Sequence, residues 1–274
     1  MDPSNILDQV VSAFQAVSYP TLLRVIGPAQ TLFVTLFAID FAWDLATWSL
    51  TDTPDLFTRA LHKFVVFLIL WGALITTPFW LPQLVGGFDE IGRHMTGLGG
   101  LSPSAILDQG ISLSFLMWLL WDPLTGILDL PAQLLWRGVA SSVLLLGFSL
   151  VAFQLVRILV EVALALSGLA FFLGFWGSKL TYPLAEGYLR YLVNLGVRMF
   201  TWYLLIAVGQ NFGNLWLDQF GNLNGAATGN PWALVAMPVA GAMWGGLVLI
   251  LPEVVARRIG DSFSLSSANP LRHG

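Results

Sequence analysis

The chain has 274 residues, of which 12 are basic and 16 are acidic, so 10% are charged, against about 25% in an average soluble protein. Hydrophobic residues make up 56%, and the mean hydropathy is +0.75. Because charged side chains are costly in lipid, these values predict an all-α protein that crosses a membrane several times. The net charge of −4 argues against nucleic-acid binding through a basic face. The absence of cysteine excludes disulfides and thiolate metal sites.

The first 18 residues are predicted to form an amphipathic helix at the membrane surface. It is expected to begin at Pro3 and Ser4, and its apolar stripe of Ile6, Val10 and Phe14 lies opposite polar residues. A cleavable signal peptide is not expected, because the segment has no basic start and no long apolar core.

Five apolar stretches are predicted to cross about 30 Å of hydrocarbon, which takes about 20 helical residues. The third stretch is about twice the necessary length. We expect it to cross once and to continue over residues 162–176 as a re-entrant or interfacial segment, and the alternative is a second crossing. The predicted spans are residues 25–48, 64–84, 138–160, 191–208 and 231–252, and residues 253–274 form a short tail.

The basic residues predict the orientation, since Lys and Arg in short loops remain on the cytoplasmic side. With five crossings and an outer N-terminus, seven basic residues lie inside and two lie outside, and the other three lie in or beside spans. A double crossing of the third stretch would move residues 177–190 and the tail outside. The inner residues are Arg59, Lys63, Lys179, Arg190, Arg257, Arg258 and Arg272, and the outer ones are Arg93 and Arg137.

Two segments that are predicted to lie outside share an internal repeat. PSNILDQVVS (3–12) and PSAILDQGIS (103–112) match at seven of ten positions. One interpretation is that two equivalent amphipathic helices hold a partner or shape an opening. The other is that Pro-Ser followed by Ile-Leu-Asp-Gln is simply a favourable start for a helix.

The sequence lacks the usual signatures of an enzyme or a metal site. His62, His94 and His273 are too few and too badly placed to hold a metal. The chain has no GxxxxGK[ST] phosphate loop, and GFSL at 147–150 lacks the second glycine of a nucleophile elbow. We therefore expect no catalytic activity and no cofactor.

Ionisable groups in or beside the spans are the candidate functional residues, because their burial in lipid is costly. Asp40 and Asp44 share a helix face near the inner end of the first span, and Arg157 and Glu161 have the same spacing at the same predicted depth. Either these groups contact a substrate, or Asp40 or Asp44 forms an interhelical ion pair with Arg157.

The last span contains a pattern that favours close helix packing. Gly241 and Gly245 form a small-xxx-small pair, which lets two backbones approach within the membrane. This pair makes the span a candidate for helix or subunit packing. The 12 Trp residues mostly flank the spans, where Trp anchors a helix at the membrane interface.

The segment from Leu159 to Gln210 is the most distinctive part of the chain. It contains GFWGSKLT (174–181), AEGYL (185–189) and GVRMF (196–200). With FDEIGRHMTG (88–97) and the PSAILD helix start, it resembles the TrbL family of conjugative transfer proteins over most of residues 1–210. The resemblance implies a polytopic inner-membrane platform of a type IV secretion machine. It also implies a ring-like homo-oligomer with an outer N-terminus and a cytoplasmic C-terminus.

The same resemblance implies the partners and the cargo. The partners are membrane lipids, other inner-membrane subunits, separate ATPases and pilin subunits, and the cargo is a relaxase-bound DNA strand or protein effectors. The alternative function is a small polytopic transporter that uses Asp40, Asp44, Arg157 and Glu161 as coupling or substrate groups.

The segment GFWGSKLT is predicted to be a cytoplasmic turn. Gly174 and Gly177 are expected to allow backbone conformations that other residues resist. Thr181 is expected to cap the next helix. The turn, which also contains Ser178, is predicted to place Lys179 beside lipid phosphates or the acidic surface of a partner.

Overall fold

The computed structural model describes residues 5–50, 56–96, 102–119, 130–221 and 231–262, which are almost entirely helical and include no strand. This confirms the predicted all-α fold. The 3-10 turn Phe175–Gly177 follows the fifth helix. The described helices are α1 Ile6–Leu50, α2 Leu56–Ile75, α3 Thr77–Thr96, α4 Pro103–Leu119, α5 Leu130–Gly174, α6 Tyr182–Gly221 and α7 Pro231–Ser262.

Five helices are long and apolar enough to cross a membrane, namely α1, α2, α5, α6 and α7. Their number agrees with the five predicted spans, although several of the helices are longer than the spans. The helix α1 has 45 residues and joins the predicted surface helix to the first span without a break. Pro20 and Pro28 lie inside α1, and an unbroken helix is favoured in lipid because freed backbone groups find no water there. Pro3 and Ser4 lie outside the described residues.

The second predicted span, residues 64–84, is interrupted in the structure. The helix α2 ends at Ile75, Thr76 forms a turn, and α3 begins at Thr77. Pro78 accounts for the break, because it has no N–H to continue the hydrogen bonds of α2 and its ring clashes with the carbonyl four residues earlier, whereas proline is tolerated in the first turn of a new helix. The Thr77 hydroxyl and the indole N–H of Trp80 both donate to the carbonyl of Ala73, at 3.0 and 3.2 Å, and hold this joint together.

The predicted continuation of the third span over residues 162–176 is mostly helical in the structure. The helix α5 runs unbroken through this segment to Gly174. After Pro131 in its first turn, α5 contains no proline and no long polar stretch that would end it. An unbroken helix has no turn at which the chain would cross the membrane a second time.

The chain divides into two compact units. Unit 1 comprises Met1–Ser12, Phe88–Leu159 and Val197–Val255, and unit 2 comprises Ala13–Gly87, Val160–Gly196 and Ala256–Gly274.

In unit 1, glycines bring α5, α6 and α7 together. A Cβ atom on Gly147 of α5 would lie 2.7 Å from the carbonyl oxygen of Gly241, and one on Gly245 would lie 3.3 Å from the Cα of Gly147. The structure therefore places Gly241 and Gly245, the predicted packing pair, against α5. The indole ring of Trp244 lies on Gly209 of α6.

In unit 2, the buried core is formed by α1, α2, α3 and α5. Aromatic rings extend it, and Phe33 stacks on Phe67 with ring centroids 5.4 Å apart. This core supports the polar site described next. Its buried members are Leu22, Ala29, Phe33, Leu74, Leu81, Leu169, Ala170 and Leu173.

Candidate functional site

Two aspartates and two lysines meet in unit 2, where we call Asp40, Asp44, Lys63, Ser178 and Lys179 the carboxylate–lysine cluster. The ammonium group of Lys63 lies 2.5 Å from one carboxylate oxygen of Asp40 and 2.5 Å from one of Asp44. The side chains of Lys63 and Asp40 are only 5% and 9% exposed. The ammonium group of Lys179 lies 3.0 Å from Asp44. The two positive and two negative charges of the cluster cancel.

Asp40 also holds the turn between α5 and α6. Its second carboxylate oxygen accepts hydrogen bonds from the hydroxyl of Ser178 at 3.1 Å and from the backbone N–H of Lys179 at 3.3 Å. One side chain thus bonds to α2 through Lys63 and to the turn through Ser178 and Lys179. Hydrogen bonds to a charged group are about twice as strong as neutral ones, so these contacts fix the turn against α1.

Gly174 and Gly177 have a different role from the one predicted. Gly174 has an ordinary helical conformation, with φ −56° and ψ −29°, so it does not supply unusual backbone freedom. Instead, a Cβ atom on Gly174 would lie 2.9 Å from the carbonyl oxygen of Ala29, and one on Gly177 would overlap the carbonyl oxygen of Phe33. Both glycines therefore allow the end of α5 and the turn to lie directly against the backbone of α1.

Thr181 stabilises the turn rather than the first N–H groups of α6. Its hydroxyl donates to the carbonyl of Phe175 at 2.7 Å, and it also lies 3.4 Å from the carbonyl of Ser178. The hydroxyl of Ser178 accepts the N–H of Leu180 at 3.3 Å. The prediction that Thr181 caps α6 through its side chain was wrong, because that side chain points back into the turn.

The partners of the two aspartates differ from the prediction. The structure pairs Asp40 and Asp44 with Lys63 and Lys179, so the prediction that Arg157 is the partner was wrong. Arg157 is exposed and belongs to unit 1. Glu161 belongs to unit 2, where it accepts a hydrogen bond from the hydroxyl of Tyr191 at 3.1 Å.

Sequence reasoning missed Lys63 because it placed this residue in the loop before the second span. The helix α2 in fact begins at Leu56, eight residues earlier than predicted, and Lys63 lies within it. A signal was present in the spacing, since Lys63, Val66 and Leu74 follow the helical period and are all buried. Lys179 was predicted to face lipid or a partner, but its ammonium group is bound to Asp44.

The two copies of the internal repeat contact each other in unit 1. The hydroxyl of Ser102 donates to the carboxylate of Asp8 at 2.6 Å, and the backbone N–H of Ser104 donates to the same carboxylate at 3.4 Å. Asp8 thereby binds the start of α4, where N–H groups lack helical partners. Its counterpart Asp108 is exposed. The two copies are thus similar in sequence but not equivalent in contacts.

Among the described residues, no three His, Asp or Glu side chains are grouped closely enough to hold a metal ion. His62 and His94 are both exposed, and His273 lies outside the described residues.

Comparison with known proteins identified one family. A family model described as "TrbL/VirB6 plasmid conjugal transfer protein" matches residues 31–251. The matched range includes every residue of the carboxylate–lysine cluster and the second copy of the repeat, but not the first copy. A search of curated proteins found no match.

Proposed function

The chain belongs to the TrbL/VirB6 plasmid conjugal transfer family, and from this we propose that it is a noncatalytic platform subunit of a type IV secretion apparatus in the bacterial inner membrane. The observation that carries the proposal is the family match over residues 31–251 in a chain with five helices able to cross a membrane. The subunit self-associates around a path for DNA–protein or protein substrates. Its other partners are inner-membrane subunits, an ATPase and pilin subunits.

In this proposal the carboxylate–lysine cluster has a structural role. It holds α1, α2 and the turn between α5 and α6 together, and it does not contact a substrate. Asp40 and Asp44 each have a lysine partner, and the cluster is largely closed to its surroundings. A carboxylate that bound and released a charged substrate would have to be accessible and not already paired with a lysine. The same observation argues against the alternative of a small transporter that uses Asp40 and Asp44 as coupling groups.

The composition of the native complex tests this function. We expect the tagged chain, solubilised gently from its own membrane, to have a mass of several copies and to co-purify with the ATPase and pilin subunits of the same secretion system. Mass photometry and protein identification by mass spectrometry measure both properties. Cells that lack the other secretion genes are the control, and there the self-associated chain is expected without those partners. A strict monomer that moves a solute alone in liposomes would contradict the proposal.

The proposed orientation has an outer N-terminus and a cytoplasmic turn between α5 and α6. It is testable by cysteine labelling, since the chain has no native cysteine. Leu180 on the turn is 89% exposed, and Asp108 on α4 is exposed as well. In intact spheroplasts, a membrane-impermeant maleimide is expected to label Asp108→Cys and to spare Leu180→Cys. Both variants should react after the membrane is opened. Labelling of Leu180→Cys in intact spheroplasts would reverse the orientation.

A further inference from the structure

The contact between the two repeat copies in unit 1 is reciprocal. The backbone N–H of Ser104, at the start of α4, donates to the carboxylate of Asp8 at 3.4 Å. The backbone N–H of Asp8, in the first turn of α1, donates to the hydroxyl of Ser104, also at 3.4 Å. In an ordinary capping box, two side chains three positions apart exchange such bonds within one helix. Here the two residues are 96 positions apart, so each helix start caps the other.

One carboxylate therefore serves two helix starts. The first N–H groups of a helix have no partner within that helix, and they give the helix start a partial positive charge. The carboxylate of Asp8 belongs to the first turn of α1 and is bonded to Ser104 and Ser102 at the start of α4. It thus stabilises both helix starts at once, and breaking the contact leaves free N–H groups in both helices.

Apart from this contact, the first turns of α1 have few buried side chains. Of residues 5–12, only Val11 is buried, whereas Ile6 and Val10 are 56% and 40% exposed. The equivalent part of α4 is different, because Ile106, the counterpart of Ile6, is completely buried. Few buried apolar contacts are typical of segments that open locally at a low free energy. We therefore expect α4 to stay in place and the first turns of α1 to be the part that detaches.

We propose that residues 6–12 of α1 form a strap that closes on the start of α4 and opens from it as one cooperative unit. In the closed state, Asp8 and Ser104 cap each other's helices. In the open state, the start of α4 presents the N–H of Ser104 and the hydroxyl of Ser102 to its surroundings. The strap is a property of the chain itself and does not depend on the proposed role in secretion.

Hydrogen exchange of the purified chain in lipid nanodiscs tests the strap, and the repeat supplies a matched control. Asp8→Ala removes the shared carboxylate, and Asp108→Ala makes the same change at the equivalent exposed position of α4. We expect Asp8→Ala to accelerate exchange about tenfold at the backbone N–H of Ser104 and at those of residues 10–12, because a helix cap and a charge-assisted hydrogen bond are lost together. Asp108→Ala should leave both segments as in the wild type.

A substitution in α4 tests whether the coupling is reciprocal. Ser104→Ala removes the hydroxyl that accepts the N–H of Asp8 and leaves the carboxylate in place. We expect exchange in residues 8–12 of α1 to accelerate several-fold, although the substitution lies in another helix. Ser112→Ala, at an exposed serine of α4, is the control and should not change the exchange of α1.

The exchange of the buried part of α5 separates the opening of the strap from global unfolding. Leu144 and Phe148 are almost completely buried, and their backbone N–H groups should exchange as slowly in the variants as in the wild type. The strap would be overturned if each substitution accelerated exchange only in the helix that carries it. It would also be overturned if Asp8→Ala and Asp108→Ala had the same effect.

Discussion

Replacing Lys63 with Met is expected to destabilise the protein by about 3–5 kcal/mol, because it leaves buried carboxylates without their main cation. Asp40 would lose its only ammonium partner in the cluster, and Asp44 would keep only Lys179. Met preserves most of the apolar volume of Lys, so the loss would report on charge more than on packing. The measurement is denaturant unfolding in detergent micelles, followed by the midpoint and slope of the transition.

Two variants control for this experiment. Arg59 lies one turn earlier on α2 and is exposed, so Arg59→Met is expected to change stability by less than about 0.5 kcal/mol. The double variant Lys63→Met with Asp40→Asn should be less destabilised than Lys63→Met alone, since it removes one of the uncompensated charges. Strictly additive losses of stability would show that Asp40 and Lys63 are not coupled. A Lys63→Met protein as stable as Arg59→Met would contradict the structural role of the cluster.

Replacing Gly177 with Ala is expected to lower the free energy of unfolding by about 1–3 kcal/mol through overpacking. The new methyl group would overlap the carbonyl oxygen of Phe33, and backbone on both sides leaves no flexible side chain that could move away. The turn would have to shift away from α1, which weakens the bonds of Ser178 and Lys179 to Asp40. Hydrogen exchange at the backbone N–H of Lys179 should therefore accelerate along with the loss of stability.

Gly187 provides the matched control for Gly177. It lies in α6, it is exposed, and an added Cβ would meet no atom within 4 Å. Gly187→Ala is expected to stabilise the helix by about 0.5–1 kcal/mol, since Ala favours a helix over Gly. Equal effects of the two substitutions would mean that Gly177 does not serve close packing.

The sequence was sufficient for the class of protein and the number of helices that can cross a membrane. The hydropathy of a segment depends only on its own residues, so spans can be predicted without knowing which helices contact each other. The i, i+4 spacing likewise placed Asp40 and Asp44 on one face. Helix ends were harder to predict, because α2 ends at Ile75 within a stretch whose mean hydropathy is high enough for one continuous span.

Sequence patterns could not predict which charged residues pair with each other. Lys63 and Arg157 both have the right charge for Asp40, and spacing along the chain does not say which helix lies beside α1. The close approach at Gly174 and Gly177 depends on the same packing, since a glycine that gives conformational freedom and one that gives space look identical in sequence. The repeat shows a similar limit, because two matching segments gave no sign that Asp8 would be bound and Asp108 exposed.

The residues of the carboxylate–lysine cluster are synthesised at different times. Lys63 follows Asp40 by 23 residues, whereas Lys179 follows it by 139. At about 5–20 residues per second, Lys63 is made about 1–5 s after Asp40, and Lys179 about 7–28 s after it. The nascent hairpin of α1 and α2 thus holds two carboxylates and one ammonium group until the ribosome has made α5. Lys179 is thus the last charged residue of the cluster to be synthesised, and only then do the positive charges balance the two carboxylates.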